Sequence, residues 1–128
     1  MYLLDTNACI DFLDARSEKV MRRIDAEFGR LAVSTITIAE LMVGNKTSTD
    51  PEADRRRLAV FVAGVVVVPF DEKAAAVYGE VVRGIGVKRK SFDRLIGIQA
   101  LAQGLTLVTS NGKDFADVSG LKVENWTI

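Results

Sequence analysis

Three carboxylates and one amide stand where apolar runs end in this chain. Asp5 follows Met1-Tyr2-Leu3-Leu4, Glu40 lies within the stretch from Ser34 to Leu41, Asp93 opens Asp93-Arg94-Leu95-Ile96, and Asn111 follows the run from Leu105 to Ser110. Each falls where a strand hands over to a helix or just inside one. In a parallel α/β fold those handover points gather along one edge of the sheet, in the crevice where ligands bind. Carboxylates brought together there repel: at ~4 Å and an effective dielectric of ~20, each pair costs roughly 4 kcal/mol. A divalent cation removes that cost, so the pattern predicts an oxygen-ligand site for Mg²⁺ or Mn²⁺. The chain contains no histidine. Serine–histidine and cysteine–histidine catalysis, histidine-bound zinc and histidine acid–base chemistry are therefore excluded.

Each candidate also has a plain structural role to weigh. Asp5 is placed to cap the first helix, but Thr6 and Asn7 can cap nearly as well, which frees Asp5 to face the crevice. Glu40 has apolar neighbours at Ile36, Ile38, Ala39, Leu41 and Met42, which leave it little purely polar helix face to occupy. Ser91 competes with Asp93 for the cap of its helix, whose dipole would keep the Asp93 carboxylate ionised. Asn111-Gly112 is a turn signal in its own right. Asp71 is assigned to capping, Asp114 and Asp117 to the surface, and Asp114 is a minor candidate for the outer sphere of a metal. Lys88, Arg89, Lys90 and Arg94 form a basic run beside Asp93, suited to positioning phosphates. Arg55-Arg56-Arg57 suits an exposed helix, and Cys9, among apolar neighbours, a small buried role.

The elements that must position these groups alternate along the chain. A strand at Tyr2–Asp5 precedes helices from Thr6 to Asp14 and from Ser17 to Phe28. A strand at Leu31–Val33 leads into a helix from Ser34 to Gly44, and Asp50-Pro51 starts another that ends at Gly64. Val65–Val68 predicts a strand buried on both faces. Helices at Glu72–Arg83 and Phe92–Gln103, a strand at Thr106–Val108 and a short one at Leu121–Val123 complete the order. Strands separated by helices imply a parallel sheet covered on both faces. The 128 residues, 48% of them hydrophobic with mean hydropathy +0.17, fit a single packed domain over 1–128. With 17 basic and 17 acidic residues, no global field draws the chain to nucleic acid. No signal peptide or membrane-length apolar run is evident, so a cytoplasmic location is expected.

Leu4-Asp5-Thr6-Asn7, Ser34-x-x-Thr37-x-x-Glu40-Leu41, Phe92-Asp93-Arg94-Leu95-Ile96 and Leu107-Val108-Thr109-Ser110-Asn111-x-x-Asp114-Phe115 occur in order. Together they resemble a PIN domain, and among those most nearly the VapC-type ribonuclease toxins of bacterial toxin–antitoxin pairs. Pro69-Phe70-Asp71 and the ending Leu121–Trp126 are similar to that group as well, so the likeness runs from about residue 2 to 126. Each motif alone is weak; the ordered set is specific.

The resemblance implies a three-layer α/β/α fold around a parallel sheet, homodimerisation, and Mg²⁺- or Mn²⁺-dependent cleavage of structured RNA, either tRNA or rRNA. It also implies a small VapB-type antitoxin that wraps the toxin in a hetero-oligomer and blocks the acidic site. Asp5, Glu40 and Asp93 match the family's acidic positions, while Asn111 stands where the family often has a fourth aspartate. On that basis Asp5 and Asp93 ligate the metal, Glu40 acts through a water, and Asn111 is a weak further ligand. Thr6, Asn7, Ser34, Thr109 and Asp114 would fix the carboxylates. The missing fourth charge leads us to expect one tightly bound ion, held more weakly than by four carboxylates. A phosphatase of the haloacid-dehalogenase kind needs a second aspartate where Asn7 stands. The alternative is a non-catalytic PIN-like module that binds RNA or protein through the basic run.

Overall fold

Side-chain alternation along the central strands divides the core into two halves. In β1 (Tyr2–Leu4), Leu3 and Leu4 point to opposite faces, as successive strand residues must. Leu3 lies in register with Ala32 and Leu107, and Leu4 with Val33 and Val108, on β2 (Leu31–Ser34) and β4 (Thr106–Val108). One row, Leu4, Val33 and Val108, packs with Ala8, Cys9, Ile24 and Phe61 from α1 (Thr6–Leu13), α2 (Glu18–Ala26) and α4 (Pro51–Ala63). The other row, Leu3, Ala32 and Leu107, packs with Ile96 and Ala100 of α6 (Phe92–Gln103), flanked by Val81 and Ile85 of α5 (Glu72–Ile85). The computed structural model, which describes residues 1–44, 46–86 and 92–128, is thus an α/β/α sandwich.

The sheet has five parallel strands in the order β3-β2-β1-β4-β5, with β3 at Val66–Val68 and β5 at Val123–Glu124. β1 is central, so its carboxyl end meets those of β2 and β4. Ser17, Ser34, Asp50 and Asp71 cap their helices as the sequence predicts, and Pro51 occupies the first helical turn. Among the described residues, no helix is long and apolar enough to cross a membrane.

Two local expectations are corrected, and the turn expected at Asn111-Gly112 is present. The valine run forms an edge strand, and Val66 and Val67 are 50% and 39% exposed rather than buried on both faces. Among the described residues β3 pairs only with β2, so a β-branched run records strand preference without recording position in the sheet. The last strand begins at Val123 instead of Leu121. Asn111-Gly112 opens a 3₁₀ turn over Gly112–Phe115.

That turn is held against α6 by a close approach. A Cβ on Gly97 would lie 2.2 Å from the Phe115 ring, and both residues are buried. Gly97→Ala therefore forces the ring out of the core. We expect a loss of about 1–3 kcal/mol, the usual cost of overpacking, read as a lower denaturant midpoint with unchanged far-UV circular dichroism. An unchanged midpoint would contradict this packing.

Candidate metal centre

Asp5 follows the central strand directly, and its amide N–H donates to the Val108 carbonyl of β4 at 3.0 Å. The residue is 4% exposed. Its Oδ1 accepts from the Ala8 N–H at 2.7 Å, so Asp5 is itself the N-cap of α1. The expectation that Thr6 or Asn7 would release it from capping is corrected: Thr6 turns its hydroxyl elsewhere and Asn7 is exposed. One carboxylate oxygen is enough for the cap. The Thr109 hydroxyl also donates to this carboxylate, and Thr109 Oγ1 accepts from the Asn111 N–H at 3.0 Å. Thr109, 2% exposed, thereby ties the start of the Asn111 turn to Asp5.

Burial pushes the Asp5 carboxyl above its ordinary value of 3.8, and the negative fields of Asp93 and Asp11 add to that rise. The cap and the Thr109 bond oppose it without cancelling it. Asp93 sits in the first turn of α6, as read from the sequence, and its charge reaches Asp5. Asp11, one and a half turns along α1, was missed. Its only sequence signal is the three-residue step from Ala8, which places both on one helix face.

Glu40 lies on α3 (Thr35–Val43), where Ser34 caps the helix through its hydroxyl, 3.1 Å from the Ile36 N–H. Thr6 Oγ1 donates to Glu40 Oε1 at 2.6 Å and lies 3.2 Å from the hydroxyl of Thr37. With its one proton on the carboxylate, Thr6 accepts from Thr37, giving a relay from Thr37 through Thr6 to Glu40. Thr37 is fully buried. Sequence reasoning quoted it in the motif without giving it a role, although Ser34, Thr37 and Glu40 are spaced by three. The premise that α3 has little solvent-facing surface fails, because Ala39 is exposed and Met42 and Val43 are 70% and 75% exposed. Glu40 is held by the threonine relay, not by exclusion from a polar face.

The basic run divides. Lys88, Arg89 and Lys90, and the competing cap Ser91, lie outside the described residues. Arg94 makes a two-point pair with Asp117, at 3.0 and 3.2 Å, and both side chains are largely buried at 13% and 24% exposure. Its guanidinium is thus committed within the protein, clamping the segment after the 3₁₀ turn to α6, and Asp117 is no simple surface residue. Asp114 and Asn111 are exposed. Cys9 is fully buried, and burial with the Asp5 charge pushes its thiol pKa far up, which leaves it inert.

No three Cys, Asp or Glu side chains among the described residues converge as a closed cage. The donor set suits a different kind of site. A hard cation such as Mg²⁺ keeps most of its waters and takes one or two carboxylates. Asp5 and Asp93 provide an anionic pair, Glu40 lies next to Thr6 for a water-mediated contact, and no described basic side chain pairs with any of them.

Comparison with known proteins agrees with this arrangement. The PIN domain family profile matches residues 2–121. The chain is 30% identical over 129 residues to the tRNA(fMet)-specific endonuclease VapC of Shigella flexneri, covering 98% of each. It is 31% identical over 128 residues to ribonuclease VapC2 of Haemophilus influenzae, covering 98% of this chain and 97% of the relative. The fold superposes on DNA-bound VapBC from Salmonella typhimurium with a TM-score of 0.85 at 29% identity, covering 98% and 97% of the two chains.

The electrostatics of Asp5 make a prediction in the metal-free state. Its raised carboxyl pKa means that folding disfavours the ionised form. The resulting penalty is complete at neutral pH. It fades as the pH falls through the raised value and is gone below the unfolded value of 3.8. Asp5→Asn keeps the cap and removes the charge. With chelator present, the variant should melt above the wild type at pH 7, and the gap should close on acidification. Equal melting temperatures across that range would contradict the assignment.

Proposed function

The chain belongs to the PIN domain family and within it resembles the VapC-type ribonucleases, and from that premise we propose a metal-dependent endoribonuclease. In this reading it is the toxin of a toxin–antitoxin pair and cuts structured RNA, tRNA or rRNA, in the cytoplasm. The observation that carries the chemistry is the buried Asp5, whose charged neighbours Asp93 and Asp11 are themselves acidic and pair with no cation among the described residues. Such a charge set favours a bound divalent cation.

Asp5 and Asp93 would hold Mg²⁺ or Mn²⁺, with Glu40 joined through water and the Asn111 amide oxygen as a weak further donor. When bound, the ion polarises the scissile phosphate and supplies an activated water. Glu40 would orient an attacking water and accept its proton, with Thr6 donating to its Oε1. Thr109 holds Asp5 in place, and the Ser34 cap anchors the helix that carries Glu40. Lys88, Arg89 and Lys90 would position phosphates along the RNA. Arg94 contributes through its pairing with Asp117, which steadies the helix bearing Asp93.

VapBC-5 from Mycobacterium tuberculosis, on which the fold superposes with a TM-score of 0.65 at 26% identity, is a member of the VapBC family of toxin–antitoxin systems, which supports a small VapB-type antitoxin as partner here. Met42, Val43, Val66 and Val67 are exposed apolar side chains that such a partner, or a second copy in a homodimer, would cover. One domain over residues 1–128 suffices for this activity.

Asp5→Asn and Asp93→Asn should each abolish Mg²⁺- or Mn²⁺-dependent cleavage of RNA while leaving circular dichroism unchanged. Glu40→Gln should lower the rate by about 10²–10⁴, the range for loss of a general base. Full cleavage by both aspartate variants, or by the wild type in excess chelator, would overturn the proposal. An intact fold with metal binding but no nuclease activity would favour the non-catalytic module instead.

A further inference from the structure

Phe92 is 59% exposed, although it continues the most deeply buried face of its helix. Phe92, Ile96 and Ala100 stand four residues apart on α6 and so share one face. Ile96 and Ala100 are fully buried, in the apolar cluster that contains Leu3, Ala32 and Leu107 of the sheet. One turn earlier, the same face carries a phenylalanine that belongs to neither apolar cluster among the described residues.

The cause is where the strands stop. α6 runs from the carboxyl edge of the sheet to its amino edge, because β4 begins at Thr106, just past the end of α6 at Gln103. β1, β2 and β4 end at Leu4, Ser34 and Val108. The step from Ile96 back to Phe92 covers about 6 Å of helix, which matches roughly two residues of strand. From the level of Leu3 that step reaches the level of Asp5, beyond the last paired residue of β1. A helical side chain also leans toward the N-terminus of its helix, which carries the ring farther past the sheet. Phe92 thus overhangs the strand ends, next in the chain to Asp93, whose charge reaches Asp5.

The other exposed phenylalanine has a structural partner. Phe28 lies between α2 and β2, at the opposite edge, and its ring covers Gly64: a Cβ there would lie 2.8 Å away. Among the described residues, no aromatic ring pairs with Phe92.

A phenyl ring offers a flat apolar face and no hydrogen bond, so the group that fits it is flat as well. Beside an acidic centre that meets RNA, that group is an unpaired base. Bases of single-stranded loops stack on aromatic side chains, and every base has a face to stack. Such a contact needs no charge. The chain has 17 basic and 17 acidic residues, and the Arg94 guanidinium near the ring is engaged by Asp117. Stacking therefore adds affinity where neighbouring acids repel the backbone phosphates.

We propose that Phe92 is a stacking platform for an unpaired RNA base, held next to the phosphate that enters the acidic centre. The proposal takes its ligand from the ribonuclease reading and rests on it for that. Phe92 touches the base and neither metal nor water, so it sets affinity for single-stranded RNA and leaves the choice of base open.

Binding is measured in Ca²⁺, on a hairpin RNA carrying the fluorescent base 2-aminopurine in its loop, whose emission responds to stacking. Phe92→Leu keeps an apolar side chain and removes the ring, whereas Phe92→Tyr keeps the ring. The leucine variant should bind on the order of tenfold more weakly, the scale of one base–aromatic stack, and should lose the emission change. The tyrosine variant should retain both. An abasic residue at the stacked position should weaken the wild type by a similar factor and leave Phe92→Leu unaffected, because each change removes the same contact. Wild-type binding by Phe92→Leu, equal losses in the leucine and tyrosine variants, or a wild type that binds no hairpin would overturn the proposal. A changed sedimentation coefficient for Phe92→Leu would assign the ring to a contact between copies of the chain and overturn it too. Cleavage in Mn²⁺ separates this proposal from the reading beneath it. RNA stacked on Phe92 and left uncut would sink the ribonuclease reading and leave the platform standing. RNA cut equally by wild type and Phe92→Leu at subsaturating concentration would sink the platform alone.

Discussion

A negative charge buried at the end of the central strand, with acids for neighbours, is the constraint on which this structure turns. Asp5 is 4% exposed, and the charges that act on it come from Asp93 and Asp11. Its two hydrogen-bond donors, the Ala8 amide and the Thr109 hydroxyl, are neutral. Neutral donors offset part of the desolvation of a carboxylate and none of the repulsion from its neighbours. Such a charge set is one that a bound cation would relieve. The same residue caps α1 through its Oδ1.

The surrounding architecture fixes the distances that this charge set requires. β1 is the middle strand, and β2 and β4 bring Ser34 and Thr109 to the same edge. α6 carries Asp93 and is locked to the segment after β4 at two points. One is Gly97 under the Phe115 ring, and the other is Arg94 on Asp117. Glu40 is tied to the strand-end region by Thr6 and Thr37 instead of by packing. Rigid elements and short polar links thus hold acids that would otherwise separate.

Much of this was legible from sequence, for a physical reason in each case. Continuous apolar runs in β1, β2 and β4 announce strands buried on both faces, and cap residues announce the helix starts. Asp5 and Asp93 stand at those junctions, so position alone exposed them. What escaped depends on partners distant in sequence. Arg94 looked like a free cation because Asp117, 23 residues on, is invisible to local reading. The valines of β3 prefer a strand wherever it lies, so nothing in them marks an edge. Thr37 and Asp11 act through hydrogen bonding and charge across elements, which periodicity does not encode. Thr6 could not be separated from Asp5 as a cap until its bond to Glu40, 34 residues away, was seen.

The central claim is that the acidic neighbourhood of Asp5 is a binding site for one divalent cation. Crystals grown with Mn²⁺ and measured at the manganese absorption edge test it most directly. The account predicts one anomalous peak per chain, about 2.0–2.2 Å from carboxylate oxygens of Asp5 and Asp93 as for a hard octahedral cation, with Glu40 linked through a water. A map with no peak at Asp5, or with a pair of fully occupied ions there, would contradict it.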